Sequence, residues 1–186
     1  MIIRTELSLT LLRDHQAAIM PAISPLLITG DVGRIVHEVI TLAHKRNLIN
    51  SSNLHEIAGV LTGFNLIESI YSGCGGYCEI DAKNIAISSE YSLINKKLTL
   101  CHEMGHAIQV RSGHFDKRTL LLSDLIREEQ QAETIGYYLF KALFPSVTPK
   151  KEWFSVYFEQ SDFVFLRNWY GEYCQNDLYK EPSPTL

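Results

Sequence analysis

The chain has 186 residues, of which 46% are hydrophobic and 20% are charged, and its formal net charge is −4. This length suits one domain with a buried core, because domains commonly contain about 100–200 residues. The acidic balance argues against direct binding to nucleic acid or to an anionic membrane, since both need clustered Lys and Arg. We therefore expect neither as a partner.

The amino-terminal stretch and the cysteines indicate a compartment. Arg4 and Glu6 interrupt the first apolar run, which does not resemble a signal peptide. Cysteines occur at only four positions, 74, 78, 101 and 174, with no regular spacing, unlike the disulfide framework of a secreted protein. We predict a cytoplasmic protein with reduced thiols, in which Cys74 and Cys78 form a loop pair with no assigned role.

Hydrophobic spacing predicts three helices in the first third of the chain. A short helix is expected over 6–20. Asp31 is predicted to be the N-cap of a second helix that runs to about Arg46. Asn53 begins a third helix with capping-box spacing, and Gly63 stops it.

The middle of the chain predicts a small sheet followed by more helix. After a glycine-rich turn, two β-like runs at 77–80 and 84–88 are joined by 81–83, which suits a hairpin. Helices are then expected from Leu98 and over 123–143. These elements predict an α+β fold, mainly helical, with a small antiparallel sheet.

The motif His102-Glu103-Met104-Gly105-His106 is typical of a zinc site. On a helix His102 and His106 lie about 40° apart and one turn apart, so both imidazoles can bind one Zn²⁺. Glu103, beside that face, could accept a proton from a water at the metal without ligating it. The small Gly105 permits close approach of another backbone.

The residues after the motif bear on the class of site. A metzincin would need glycine at position 109 and histidine at position 112, but the chain has Gln109 and Ser112, so that class is excluded. His114 is a candidate third ligand. It is followed by the polar run FDKR, which is equally typical of a solvated loop.

A second candidate for the third ligand lies on the helix expected at 123–143. Glu129 shares a stripe with Ala132, Glu133 and Gly136, and the small residues indicate close approach of another helix. A catalytic zinc usually has three protein ligands and one open position. We favour Glu129 as the third ligand, with Glu133 accepting the second N–H of a ligating histidine.

The chain resembles the ImmA/IrrE family of zinc metallopeptidases in four pieces: 57–61, 84–88, 98–108 and 129–145. They are a helix of the IAxxLG type, a hairpin strand, the LTLCHEMGHAI helix, and an ExxA[DE] helix that ends in LFP. Together they cover roughly residues 50–145, about half of the chain.

The resemblance implies a zincin-like fold and a gluzincin-like protease, in which His102, His106 and Glu129 bind zinc and Glu103 activates water. It also implies a substrate class, since such proteins typically cleave a regulatory protein, often a DNA-binding repressor. One departure is Glu133, where aspartate or asparagine would be more usual in the family.

The resemblance divides the chain into three segments: an N-terminal helical extension (1–50), which has no obvious family counterpart, a metallopeptidase core (51–145), and an aromatic-rich C-terminal segment (146–186) that packs on the core and ends in a disordered tail. We expect 84–88 to be the edge strand and to bind an extended peptide by strand addition across the zinc.

Two other functions stay open. One is a SprT-like protease that uses His114 as third ligand and acts on proteins crosslinked to DNA, although the pI near 6.0 argues against a DNA-binding surface. The other is a non-catalytic zinc-binding regulatory or partner-binding module. Glu103 argues against this module, because a structural zinc site needs no general base.

Overall fold

The computed structural model describes residues 2–5, 30–70, 75–113 and 122–148, with side chains from residue 30 onward except at 122–126. The predicted helix at 6–20 and the segment 149–186 lie outside the described residues. The fold is α+β and mainly helical, as predicted. In chain order, the elements are β1 (Ile2–Thr5), α1 (Gly30–Lys45), α2 (Leu54–Thr62), β2 (Asn65–Ser69), β3 (Gly76–Glu79), β4 (Asn84–Ser88), α3 (Leu93–Arg111) and α4 (Leu122–Leu143).

Helices α1 and α2 lie close to where the sequence signals predict them. Helix α1 begins at Gly30, so Asp31 is not its N-cap as predicted but lies in its first turn, near the positive end of the helix dipole. The Asn53 side chain caps α2 by accepting a hydrogen bond from the Glu56 backbone N–H at 3.2 Å. Gly63 ends α2 in the left-handed conformation, with φ of 76°, which glycine adopts without a steric cost.

The four strands form one sheet in the order β1-β3-β4-β2. Strands β3 and β4 are the predicted antiparallel hairpin, and Lys83 adopts a positive φ in its turn. Strand β2 was not predicted, because Leu66 is its only buried residue and the sequence shows no alternation. Since β2 runs parallel to β4, the sheet is mixed rather than antiparallel.

Strand β4 is not an edge strand, so the expected peptide addition at 84–88 is wrong. It pairs with β3 on one side and with β2 on the other, which engages the backbone groups that an added peptide would need. Its sequence is consistent with a central position, because Ile85, Ala86 and Ile87 are each 0% exposed. A continuous apolar run is typical of a strand that is buried on both faces.

Helix α3 is the central helix of the described fold. It begins at Leu93, with the Ser92 hydroxyl as its N-cap. This start precedes the predicted Leu98, because the first turn is polar and lacks a hydrophobic period. Every residue over 98–109 is buried, and α3 packs against β3, β4 and the other three described helices. The motif His102–His106 therefore lies inside the molecule.

One hydrophobic core joins α1 to the sheet and the other helices, so 30–45 packs with the predicted metallopeptidase core although it lies in the predicted N-terminal extension. Within that extension, Ile2–Thr5 is a strand rather than a helix. Among the described helices, none combines the length and the apolar character needed to cross a membrane. Among the side chains that the structure describes, the largest fully buried ones are Phe140, Phe144, Leu48, Ile57, Leu61, Ile85, Ile87, Leu100, Met104, Ile108 and Ile135.

Candidate metal centre

Helices α3 and α4 bring the three predicted ligands together. One donor atom each from His102, His106 and Glu129 lies within 4.8 Å of the other two. Glu129 Oε2 is 3.3 Å from His102 Nε2 and 3.4 Å from His106 Nε2. All three side chains are buried, at 2% exposed or less. This arrangement is a compact cluster of two imidazoles and one carboxylate.

Small residues permit the helix contact that places Glu129 opposite the histidines. A Cβ at Gly105 would lie 2.5 Å from the Ala132 carbonyl oxygen, and a Cβ at Gly136 would lie 3.1 Å from the backbone of His102. Real Cβ atoms essentially never come within 3.0 Å of another residue, so position 105 requires glycine at this spacing, whereas a Cβ at position 136 would force the backbones apart by a few tenths of an ångström. The stripe of small residues predicted on α4 is therefore the surface that contacts α3.

Each histidine ring is held through its Nδ1 atom. His102 Nδ1 donates to Glu133 Oε2 at 2.6 Å, which is the contact expected of Glu133. His106 Nδ1 lies 2.9 Å from Gln109 Oε1. This role of Gln109 was not predicted from the sequence, in which the residue served only to exclude the metzincin class. The signal for it was the i, i+3 spacing from His106, which puts both side chains on one face of the helix.

The cluster is electrostatically coupled. Burial acts to lower the pKa of His102 and His106, but the Glu129 carboxylate opposes it at both rings, with Glu133 adding to it at His102, and both pKa values are raised. Burial acts to raise the pKa of Glu129, but the two histidines lower it to about 2. Without a metal, Glu129 therefore remains an anion that faces imidazoles with a raised affinity for protons.

The donor atoms fit a metal ion. His106 Nε2 and Glu129 Oε2 are buried and make no hydrogen bond of good geometry to the part of the chain that the structure describes. Buried polar atoms are almost always satisfied, so such a pair indicates an ion or another partner between them. Two imidazoles and one carboxylate suit Zn²⁺, and they also bind other divalent transition metals.

Glu103 lies between α3 and the sheet and is 0% exposed. Its Oε1 atom is 3.2 Å from the position that a Cβ would take at Gly76 on β3. Its charge also contributes to the raised pKa values of His102 and His106. The carboxylate is therefore near both histidines but is not part of the three-residue donor cluster, as a general base requires.

The two described cysteines are buried thiols. Cys78 lies on β3 rather than in a loop, and Cys101 precedes the motif on α3; each is 0% exposed. Burial raises the pKa of both thiols, and the nearby Glu103 contributes at Cys78. Neither is therefore an activated thiolate. Cys74 and His114 lie outside the described residues, so the alternative third ligand stays a prediction.

Comparison with known proteins identifies no relative. No family model, curated protein or solved structure matches the chain. The resemblance to the ImmA/IrrE family therefore remains a prediction, and the candidate metal centre depends on its own geometry.

Proposed function

We propose that this chain is a zinc-dependent endopeptidase of the ImmA/IrrE type that cleaves a regulatory protein. The observation that supports the activity is the convergence of His102, His106 and Glu129, with the buried carboxylate of Glu103 beside both histidines. The substrate class, a regulator such as a DNA-binding repressor, follows from the family resemblance alone.

The residues of the chain divide the chemistry among them. His102, His106 and Glu129 would hold the ion, which when bound supplies a Lewis acid that polarises the scissile carbonyl and acidifies water. Glu103 would take a proton from the attacking water and pass it to the nitrogen of the leaving amine. Glu133 keeps the His102 ring in place through Nδ1.

One observation favours a second candidate, a non-catalytic zinc-binding module. His102, Glu103, His106 and Glu129 are all at most 2% exposed, and a structural metal site needs no path for a substrate. Against this, structural zinc sites usually have four protein ligands, and the described residues supply a cluster of three. The two candidates differ in what Glu103 does.

The test replaces Glu103 with glutamine, which keeps the shape of the side chain but cannot accept a proton. The matched control is Glu90→Gln, which makes the same change at an exposed residue before α3. Each zinc-loaded protein is incubated with a proteome-derived peptide library and with a panel of full-length repressors, and new amino termini are identified by mass spectrometry. Zinc per chain is measured in parallel.

We expect wild type and Glu90→Gln to produce new amino termini and Glu103→Gln to carry the same zinc with cleavage reduced by about 10²–10⁴-fold. Cleavage by Glu103→Gln at the wild-type rate would contradict the proposal. Zinc binding and capture of one repressor by both proteins, without any cleavage, would instead support the non-catalytic module.

A further inference from the structure

Gln109 is a buried side chain with hydrogen bonds at both ends of its amide. It lies on α3 three residues after His106 and is 1% exposed. Its Oε1 atom is 2.9 Å from His106 Nδ1. Its Nε2 atom donates to the Glu128 carbonyl oxygen at 2.6 Å and to Gln131 Oε1 at 3.1 Å. Burial of an amide is costly unless such partners are present.

The partners of this amide fix its orientation. A backbone carbonyl oxygen only accepts hydrogen bonds, so the amide atom 2.6 Å from the Glu128 carbonyl must be the nitrogen. The opposite orientation would place two oxygens in contact there. Gln109 Oε1 must therefore face His106, and the N–H between them must belong to His106 Nδ1. The remaining ring nitrogen, Nε2, is then the atom that faces Glu129.

The same amide connects the two helices that carry the ligands. The Glu128 carbonyl on α4 directly precedes Glu129, so its bond to Gln109 fixes the backbone next to the carboxylate ligand. Glu133 on α4 makes the corresponding connection to His102. One ligating histidine is thus held by an anion and the other by a neutral amide.

We propose that Gln109 is a positioning residue for the metal centre. It keeps His106 in the tautomer whose Nε2 carries the lone pair, and it holds that ring at a fixed distance from Glu129. The proposal rests on the metal binding of the proposed function but not on the peptidase reaction. Outer partners of metal-ligating histidines typically contribute about 10–100-fold to metal affinity.

The first experiment replaces Gln109 with methionine, which has a similar length and no amide. The control is Thr134→Val on α4, which removes another buried side-chain hydrogen bond, from Thr134 Oγ1 to the Gln130 carbonyl. Zinc affinity is measured by competition with a chelator, and the visible spectrum of the cobalt-substituted protein reports the ligand geometry. Unfolding of the metal-free proteins reports stability.

We expect Gln109→Met to bind zinc about 10–100-fold more weakly and to change the cobalt spectrum, and Thr134→Val to match wild type in both. Wild-type affinity and an unchanged spectrum in Gln109→Met would overturn the proposal. If wild type itself binds no zinc, the proposed function fails instead, so the two failures are distinguishable.

A second measurement needs no variant and keeps the proposal testable if Gln109→Met does not fold. In the zinc-loaded ¹⁵N-labelled wild-type protein, the imidazole nitrogens of His106 identify its tautomer by NMR. We expect a protonated Nδ1 and a metal-bound Nε2. A metal-bound Nδ1, or an unprotonated Nδ1, would overturn the assignment to Gln109, because its amide oxygen can only accept a hydrogen bond there.

Discussion

Glu129 provides the carboxylate of the donor cluster. It is the third ligand in the proposed ImmA/IrrE-type protease, whereas His114 takes that role in the SprT-like alternative. Its Oε2 atom lies within 3.4 Å of both histidine Nε2 atoms, whereas His114 lies outside the described residues. Replacing a carboxylate ligand removes more than an outer partner does, so Glu129→Gln should weaken zinc binding by more than about 100-fold. His114→Ala should leave the affinity within about threefold of wild type. Both are measured by chelator competition.

The reverse pattern, with tight binding by Glu129→Gln and loss by His114→Ala, would contradict the Glu129 assignment and favour the SprT-like alternative. Equal loss in both variants would indicate a general effect on folding, so the unfolding curve of each variant is recorded as the control.

At the residue scale, local spacing predicted most of the candidate site. The i, i+4 pair His102 and His106 follows from helix geometry, and the stripe of Glu129 with small residues follows from the same period. Gln109 was not predicted as a partner, because an isolated glutamine on a helix is usually solvated. The i, i+3 spacing from His106 was a local signal for one of its contacts, but no local pattern specifies the other, to the Glu128 backbone of another helix.

At the scale of elements, the contact between α3 and α4 depends on glycine. Gly105→Ala would put a methyl group 2.5 Å from the Ala132 carbonyl oxygen, so the helices must separate. We expect a loss of about 1–3 kcal/mol in the free energy of unfolding, measured by urea denaturation, and weaker zinc binding.

The matched control for this change is Gly59→Ala in α2, where a Cβ would meet nothing closer than 4.0 Å. Glycine in an exposed helix interior costs about 0.5–1 kcal/mol relative to alanine, so Gly59→Ala should stabilise the protein. Equal effects of the two substitutions would contradict the close contact between Gly105 on α3 and Ala132 on α4.

The proposed peptidase activity predicts where an extended substrate would add to the sheet. Strand β3 is beside Glu103, through Gly76, and its outer edge pairs with β1. A peptide that adds to β3 must therefore replace β1, whose residue Ile3 is directly opposite Cys78. Opposed Cα atoms in an antiparallel pair are about 4.5–5.5 Å apart, which a disulfide can span.

Ile3→Cys is therefore expected to form a disulfide with Cys78 on prolonged oxidation with diamide, as detected by mass spectrometry. The oxidised form should keep its zinc and lose peptide cleavage, and a reductant should restore cleavage. The control is Arg4→Cys, which is opposite Tyr77 and has no opposed thiol. Full cleavage by the disulfide-linked form would show that substrates do not bind at the edge of β3.

Some elements of the fold were predictable because their sequence signals are local, and others were not. Caps and periodicity predicted α1, α2 and the β3–β4 hairpin, because their signals lie within a few residues. The order of the strands in the sheet was not predicted. It depends on the pairing of β2 with β4, two strands that β3 separates in the sequence. That pairing places β4 in the centre, and for this reason the predicted edge strand was wrong.

At the scale of the whole molecule, the candidate ligands come from the two helices that form the centre of the core. His102 and His106 are on α3 and Glu129 is on α4, so an ion that binds all three binds only the folded chain. Such binding stabilises the protein, by about 2.7 kcal/mol when the free metal is 100 times its dissociation constant. Removal of the metal should therefore lower the unfolding temperature.

The stabilisation by zinc should increase with pH, and the pKa shifts give the sign. Zinc binds unprotonated imidazole, and the pKa values of His102 and His106 are raised in the metal-free protein, so zinc must displace protons until the pH exceeds those values. Without zinc, the raised pKa values of the two histidines stabilise the folded protein at low pH. This contribution is complete below about pH 6.5 and is lost as the pH rises through the folded-state pKa, so the metal-free protein becomes less stable while zinc binding becomes stronger. Glu129, with a pKa of about 2, stays ionised throughout this range.

The unfolding temperature with one equivalent of zinc, minus that with excess chelator, is measured by calorimetry at pH 6, 7 and 8. The difference should grow with pH in wild type and in Glu90→Gln, and a difference that is constant or shrinks would show that these histidines do not bind the metal.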